Sequence, residues 1–232
     1  MIDDEKLIEQ NKQVYDIIAL PFAQTRKFIW DDLKSLVKYS KDGYRVLDLG
    51  CGSGRLYQLF ADLSIDYVGV DQSEKQLENA RKKYPSGKFI MAEMRSLPFE
   101  DSEFDVIYCI ATFHHLPSRV SRLDALREMK RVLKPGGRII FTNWNLFSKS
   151  AKKTIEKGKW KIKEGTEADF FVPWMNSEGG ILGERYYYGF MPEELKELFE
   201  AAGFVLEEQY YSRKGETSDV EKGHNIVSVV RA

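Results

Sequence analysis

Cysteine and histidine are scarce in this chain of 232 residues, which holds two cysteines and three histidines. Two cysteines cannot form the network of disulfides that stabilises small secreted domains. The histidines stand at positions 114, 115 and 224, and with Cys51 and Cys109 they do not show the spacing of a zinc site. We therefore expect no structural disulfide and no bound metal.

Long apolar runs are also missing. No stretch approaches the roughly 20 apolar residues of a membrane helix, so we expect no membrane association. The opening letters, MIDDEK, are acidic and lack the apolar core of a signal peptide, which predicts a cytoplasmic protein. Internal repeats and low-complexity linkers are absent as well. With 43% hydrophobic and 31% charged residues, the composition is typical of one globular domain spanning 1–232.

The stretch 44–54 reads YRVLDLGCGSG and is the most informative part of the chain. It begins with a short apolar run, which favours a buried parallel strand. It ends with Gly50, Gly52 and Gly54, whose spacing allows positive φ angles and a close approach of the backbone to a ligand. Leucines at helical spacing then predict a helix over 55–63. The glycines therefore stand at a strand-to-helix turn, which is typical of a ligand site in an α/β fold.

The ligand follows from the spacing of two acids. The pattern G-x-G-x-G differs from the G-x-G-x-x-G of dinucleotide sites, and no P-loop lysine follows it. Asp71 ends a second apolar run 23 positions after Asp48, where a carboxylate can accept both hydroxyls of a ribose. A glycine-rich turn in another doubly wound fold is the alternative. The two motifs together resemble the class I S-adenosylmethionine-dependent methyltransferases.

That resemblance implies a Rossmann-like α/β fold with a mostly parallel, seven-stranded sheet and a terminal antiparallel hairpin. Apolar runs and caps in the sequence agree with it. We predict further strands at 88–91, 104–110, 138–143, 204–211 and 225–230, and helices after Ser73, over 120–133 and between Pro192 and Gly203. Residues 1–43 are expected to form a helical lid, broken at Pro21, with a second helix through 28–37. Residues 145–191 are an insertion relative to the minimal fold.

The resemblance also implies which residues contact S-adenosylmethionine and its product S-adenosyl-L-homocysteine. Glu93 replaces the aspartate of a common adenine-side turn, and Met94 supplies the backbone N–H beside it. Tyr15 and Arg26 are the lid residues expected to face the site. The full predicted set is Tyr15, Arg26, Asp48, Gly50, Cys51, Gly52, Gly54, Asp71, Gln72, Glu93, Met94, Ile110 and His115.

Four longer segments resemble a narrower family, the tRNA wobble-uridine carboxyl methyltransferases. They read VYDIIALPFAQTRKFIW, ATFHHLPSRVSRLDALREMKRVLKPGGRI, DFFVPW and RYYYGF. Members of that family convert 5-carboxymethyluridine to its methyl ester, and the eukaryotic ones use a small activator protein. The resemblance therefore implies tRNA as a partner and an activator as a second one. The chain departs from the family at Tyr188, where the family has histidine.

The charge distribution agrees with an RNA partner. The net charge is −1, yet residues 114–163 hold fourteen lysines and arginines against three acids, which favours either an anionic partner or a solvated face. Aromatic residues follow in 170–190. Basic residues interleaved with aromatics are typical of contacts to unstacked bases, although the aromatics could instead pack on the core. We expect Trp144, Trp174 and Tyr186 to line a pocket for the target base.

A carboxylate acceptor requires little of the enzyme's side chains. It is already an anion at neutral pH, so it needs no general base, and the enzyme must orient and desolvate it. We expect a cation to hold it, with Arg26, Arg185 and a protonated His114 as candidates.

Two other functions are compatible with the same motifs. A small-molecule C- or O-methyltransferase is one, and the basic, aromatic insertion argues against it. A non-catalytic S-adenosylmethionine-binding protein that docks on RNA is the other, and the intact motif acids and glycines argue against it.

Overall fold

The structure, a computed structural model, describes residues 3–26 and 28–232. Met1, Ile2 and Lys27, which belong to the predicted lid, lie outside that part of the chain. Its strands are β1 (Arg45–Leu49), β2 (Asp66–Asp71), β3 (Lys88–Met91), β4 (Phe104–Ile110), β5 (Leu133–Trp144), β6 (Lys161–Ile162), β7 (Asp169–Met175), β8 (Ile181–Tyr188), β9 (Val205–Arg213), β10 (Glu216–Ser218) and β11 (Asn225–Arg231). Its α-helices are α1 (Asp4–Ile17), α2 (Ala19–Thr25), α3 (Asp31–Lys34), α4 (Glu74–Lys83), α5 (Arg119–Val132), α6 (Lys149–Glu156) and α7 (Pro192–Ala201).

A mixed sheet of eight strands crosses the molecule in the order β10-β9-β11-β5-β4-β1-β2-β3. The five strands from β5 to β3 are parallel, and β11, β9 and β10 are antiparallel to their neighbours. The predicted Rossmann-like α/β fold and the terminal antiparallel hairpin are confirmed, but the count of seven strands is wrong. The additional strand, β10, has three residues and is too short to show an alternating pattern in the sequence.

Both faces of the sheet are buried, because alternate residues of the central strands point to opposite sides. Leu47 and Ile107 face one apolar cluster, which includes Leu126 of α5 and Phe199 of α7. Their neighbours Val46, Val106 and Tyr108 face a second cluster with Leu36, Phe60 and Leu77. Helices therefore pack on both faces of the sheet and fix the positions of its strands. As a result, the carboxyl ends of the parallel strands lie together at one edge of the sheet.

The segment after the glycine motif is a short 3-10 helix over Arg55–Phe60 rather than the predicted helix over 55–63. It begins at Gly54, which has a left-handed backbone and gives no side-chain cap. Tyr57 N–H donates to the Gly54 carbonyl at 3.1 Å, the i to i+3 bond of a 3-10 turn. The segment ends after six residues.

The N-terminal segment is helical, but its breaks differ from the prediction. Asp3 caps α1, and the first break falls at Ile18 rather than at Pro21. Pro21 is the third residue of α2, where its missing N–H would have had no helical partner. The second predicted helix begins only at Asp31, and Phe28 lies before it with 83% of its surface exposed.

The insertion 145–191 contains α6 and a separate antiparallel sheet in the order β6-β7-β8. It has a small core of its own, in which Leu146, Phe170, Val172 and Tyr187 are buried. Burial of Phe170, Tyr186, Tyr187 and Phe190 shows that these four aromatics pack inside the protein. Of the two alternatives that the sequence left open, packing on the core rather than contact with unstacked bases holds for these residues.

Candidate active site

A cavity lies where β1, β2 and β4 end, between these strand ends and the helices α1 and α2. This is the edge at which parallel α/β sheets bind their ligands. Four predicted site residues, Asp48, Gly54, His114 and Arg185, do not line the cavity. The predicted residues that line it are Tyr15, Arg26, Gly50, Cys51, Gly52, Asp71, Gln72, Glu93, Met94, Ile110 and His115.

The glycine loop forms one wall of the cavity. Gly50 has a φ of +78°, and a Cβ built on it would lie 2.2 Å from the side chain of Thr112, so no other residue fits there. Gly52 has a φ of +53°, and a Cβ on it would meet nothing closer than 3.9 Å. The backbone at Gly52 is therefore open to a ligand that approaches closely.

Asp71 ends β2 and holds the loop. One of its carboxylate oxygens accepts the Gly52 N–H at 2.8 Å, and the other accepts the Ser73 N–H at 2.9 Å. Burial raises the pKa of Asp71 to about 6, against the effect of these two hydrogen bonds. Each oxygen keeps a lone pair. The site therefore offers an acid that can accept two hydroxyls.

Asp48 and Gly54 lie beneath the loop instead of in the cavity wall. The Asp48 carboxylate is buried and accepts the hydroxyl of Tyr67 at 2.6 Å, and burial raises its pKa to about 7. A Cβ on Gly54 would lie 3.0 Å from the ring of Phe89. Both residues therefore support the loop from below.

The turn after β3 supplies the opposite wall through Ala92, Glu93 and Met94. The Glu93 carboxylate accepts the Nε–H of Arg95 at 2.8 Å, and Arg95 also binds Glu5 of α1. This pairing fixes the Glu93 side chain at the cavity and joins the turn to the N-terminal helix.

His115 is the centre of a hydrogen-bonded chain across the cavity. Its Nδ1 lies 2.8 Å from the carbonyl of Tyr186, so Nδ1 carries the proton, and Nε2 accepts the hydroxyl of Tyr15 at 3.0 Å. Tyr187 lies 3.3 Å further on and can donate to the Tyr15 oxygen. Burial lowers the pKa of His115 to about 4. The ring is therefore neutral, and both of its nitrogens are engaged.

His114 cannot be the cation that the sequence suggested. It is fully buried, and its Nδ1 accepts the backbone N–H of Trp144 at 3.2 Å. Burial, helped by the neighbouring His115 and Arg185, holds its pKa well below the usual value of histidine. It is a neutral part of the wall behind Tyr187, with which its ring makes a 5.0 Å centroid contact.

Three arginines near the cavity lack an acidic partner. Among residues 3–26 and 28–232, no carboxylate forms an ion pair with Arg26, Arg55 or Arg185. Arg185 is 4% exposed, and its Nε and Nη1 atoms have no hydrogen-bond partner in the described chain. Its guanidinium lies 5.1 Å from the ring centroid of Trp174, which itself packs on Phe22 of the cavity wall.

These charges are crowded together. Burial lowers the pKa of Arg26, and the nearby Arg185 cation lowers it further. Burial and the Arg26 cation lower the pKa of Arg55 to about 10, which still leaves it charged at neutral pH. Buried cations without a counter-ion are costly. Their arrangement is therefore suited to an anion supplied by a ligand.

Sequence reasoning missed several residues of the wall. Arg55 directly follows the last motif glycine, and that adjacency could have identified it. Trp30 also lines the cavity, and the Arg55 guanidinium lies 3.9 Å from the centroid of its ring. Phe22 and Thr112 are further lining residues. The predicted base pocket needs correction too, because Tyr186 is fully buried and Trp174 does not line the cavity, while Trp144 does.

No three His, Cys, Asp or Glu side chains in the described chain come together as a metal site would require. None of the helices in that part of the chain is long and apolar enough to cross a membrane.

Comparison with known proteins identifies the family. The sequence model of a methyltransferase domain matches residues 47–141. A protein of Encephalitozoon cuniculi that is assigned as a methyltransferase is 31% identical over 210 residues, 88% of this chain and 92% of that protein. The tRNA (carboxymethyluridine(34)-5-O)-methyltransferase of Saccharomyces cerevisiae is 32% identical over 74% of this chain, which spans only 58% of that enzyme.

The fold is similar to that of solved methyltransferases. A methyltransferase from Haloferax volcanii, solved in complex with the Trm112 methyltransferase activator, has a TM-score of 0.70 at 18% identity, covering 96% of this chain and 97% of that one. The glycine loop and the acid at the end of β2 fit the cofactor of such enzymes. The chain therefore belongs to the class I S-adenosylmethionine-dependent methyltransferases.

Proposed function

We propose that this enzyme methylates the carboxylate of 5-carboxymethyluridine at the wobble position of a tRNA. The observation that carries the proposal is a group of three arginines without acidic partners among the described residues: Arg26 and Arg55 line the cavity, and Arg185 is buried behind it, against the wall residues Tyr15 and Tyr187. A substrate carboxylate would supply one of the counter-ions that they lack. The name of the Saccharomyces relative supports the same substrate.

The residues around the glycine loop would bind the cofactor. Asp71 would accept the two ribose hydroxyls, and the turn at Glu93 and Met94 would contact the adenine. Gly50 and Gly52 leave room for the amino acid part of the cofactor beside the backbone. S-adenosylmethionine supplies a methyl group bonded to a positively charged sulfur, which is activated for displacement.

The transfer itself moves no proton. A carboxylate oxygen would form a bond to the methyl carbon as the carbon–sulfur bond broke, and the electron pair of that bond would stay on sulfur. We propose that Arg26 in the cavity wall, together with Arg185, which packs against the wall residues Tyr15 and Tyr187, would hold the carboxylate in line. The neutral, fully hydrogen-bonded His115 is in keeping with a reaction that needs no base.

We propose that the chain works as a single domain with two substrate-side parts. Residues 1–43 form a lid over the cofactor, since α1 and α2 supply Tyr15, Phe22 and Arg26 to the cavity. Residues 145–191 bind the RNA. Lys149, Lys152, Lys153, Lys157 and Lys159 are exposed there and have no acidic partner among the described residues.

Replacing Lys152, Lys153 and Lys157 with glutamate should weaken tRNA binding and lower the slope of log affinity against log salt by about 2, because phosphate contacts release counter-ions. Fluorescence anisotropy over a salt series measures both. The matched control replaces Lys82, Lys83 and Lys88, which are exposed on α4 and β3, with glutamate. It changes the net charge by the same amount as the first variant. If the two triple variants had the same tRNA affinity and the same salt dependence, α6 would not be part of the RNA-binding surface.

A small activator protein is a proposed partner as well. The Haloferax structure holds an activator with its methyltransferase. In this chain β3 is one of the two outer strands of the large sheet, and its Met91 is 57% exposed. Activity is therefore to be measured with and without a co-expressed activator.

The nature of the product tests the proposal. The enzyme is incubated with labelled S-adenosylmethionine and tRNA that carries 5-carboxymethyluridine. Mild alkali should then release the label as methanol, because the product is an ester. Unmodified tRNA of the same sequence is the control and should take up no label.

Two results would contradict this function. Label that survives alkali would indicate an N- or C-methyl group. Labelling of a small metabolite, with the tRNA untouched in the presence of an activator and with cofactor binding intact, would indicate a small-molecule methyltransferase.

A further inference from the structure

A second cavity adjoins the first one. The two share Trp30 and Trp144. The second is also lined by Trp160 and Ser148 of the insertion and by Lys214 and Asn225 of the β9–β11 region. It contains none of the glycine loop or Asp71. A ligand longer than one nucleotide could therefore extend from the first cavity into the second.

The walls of this second cavity include flat aromatic surfaces. The rings of Trp144 and Trp160 are nearly parallel, at 19°, with centroids 6.4 Å apart. The ring of Tyr187 also stacks on Trp144, with centroids 4.9 Å apart and an interplanar angle of 18°. This contact fixes the orientation of the Trp144 indole. Trp160 is half-buried. Indole faces held in this way are the surfaces on which unpaired bases stack.

The charges around the second cavity suit a nucleic acid. The exposed lysines of α6 lie directly beside Ser148, Ser150 and Ala151 of its wall. Two acids also line it, but both are already engaged. Asp31 binds Lys34 at 2.7 Å, and Asp32 accepts from the Gly215 N–H, the Asn225 amide and the Ser212 hydroxyl. Asp32 keeps its negative charge, because these partners are neutral, and the positive charge comes from Lys214 of the wall and from the lysines of α6.

We infer that the second cavity is a stacking site for the unpaired base next to the target uridine, with Trp160 as the principal contact. The inference rests on the proposed RNA substrate and deepens it. The enzyme would hold two consecutive nucleotides of a single-stranded loop, the target in the first cavity and its neighbour on the indole. Recognition then requires an oligonucleotide rather than a free nucleoside.

The experiment compares Trp160→Ala with the parent on anticodon stem–loops that carry 5-carboxymethyluridine. The KM for the stem–loop should rise by about 10- to 100-fold, the usual effect of losing one base–aromatic stack. Trp160→Phe should restore most of it. Tyr44→Ala is the matched control, because Tyr44 is half-buried and precedes β1 at the opposite edge of the sheet. Cofactor affinity and thermal stability are measured for every variant.

Abasic substitutions in the RNA identify the contact. In the parent, removing the base on one side of the target should raise the KM as much as Trp160→Ala does, and in Trp160→Ala the same removal should have no further effect. Equal losses in both proteins at every position, or an unchanged KM in Trp160→Ala, would overturn the inference. Failure of the parent to methylate any of these stem–loops would instead contradict the proposed function.

Discussion

Replacing Arg185 with methionine should lower kcat/KM for the tRNA by about 100-fold and leave cofactor affinity unchanged. Arg185 is 4% exposed, with Nε and Nη1 unpartnered among the described residues. Hydrogen bonds from such a group to a charged ligand are worth about 1.5–3 kcal/mol, and misplacement of the nucleophile slows the transfer further. Steady-state kinetics and calorimetry with S-adenosyl-L-homocysteine measure the two quantities.

Thermal stability separates a functional role of Arg185 from a structural one. Arg185 has no counter-ion among the described residues, but it packs against the rings of Tyr15, Trp174 and Tyr187, and despite burial the two tyrosines raise its pKa. Arg185→Met should therefore leave the Tm of the unliganded protein close to that of the parent. Arg185→Lys retains the charge but not the fork of donors, and should recover only part of the activity. A lowered Tm with normal kcat/KM would make Arg185 a structural residue and remove it from the acceptor site.

Cofactor affinity should depend on pH through Asp71. Ribose hydroxyls donate to the ionised carboxylate, and burial raises the pKa of Asp71 to about 6. Affinity is then complete above pH 7 and is lost as the pH falls through 6. Between pH 7 and pH 5, the Kd should rise about tenfold, because protonation competes with binding. Calorimetry at constant ionic strength measures the change.

Asp71→Asn should weaken binding at pH 7 by about 10- to 100-fold and abolish the pH dependence. Asp66→Asn is the matched control, since Asp66 is an exposed acid at the other end of the same strand. If the pH dependence persisted in Asp71→Asn, another acid would be responsible. Asp48, whose pKa burial raises to about 7 beneath the loop, would be the one to examine.

The sequence predicted those parts of the site that local pattern determines. The glycine spacing and the acid at the end of β2 follow from how a strand turns into a helix, and both lie where expected. Asp71 could be placed because its position depends on the length of one βαβ unit, and that length is set by nearby residues.

The rest depends on contacts between distant segments. The sequence does not distinguish His114 from His115. His114 is buried behind Tyr187 and does not reach the cavity, whereas His115 lines the cavity and binds Tyr15 of α1. Arg185 lies on β8, where its cross-strand partner on β7 is Val172. It has no acidic partner among the described residues, and that depends on how the strands of the insertion pair. The strands of the insertion were missed since their aromatics show no clear alternation, and their burial depends on a small core of their own.

Helix α1 touches both halves of the site. Its Asp16 accepts the hydroxyl of Ser73, the residue whose N–H binds Asp71, at 2.6 Å. Its Asn11 holds the backbone of Tyr186, beside Arg185, through bonds of 2.8 and 3.0 Å. A ligand that steadies either end of this helix steadies the other. We therefore expect cooperative binding, in which the cofactor raises RNA affinity and RNA raises cofactor affinity by the same factor.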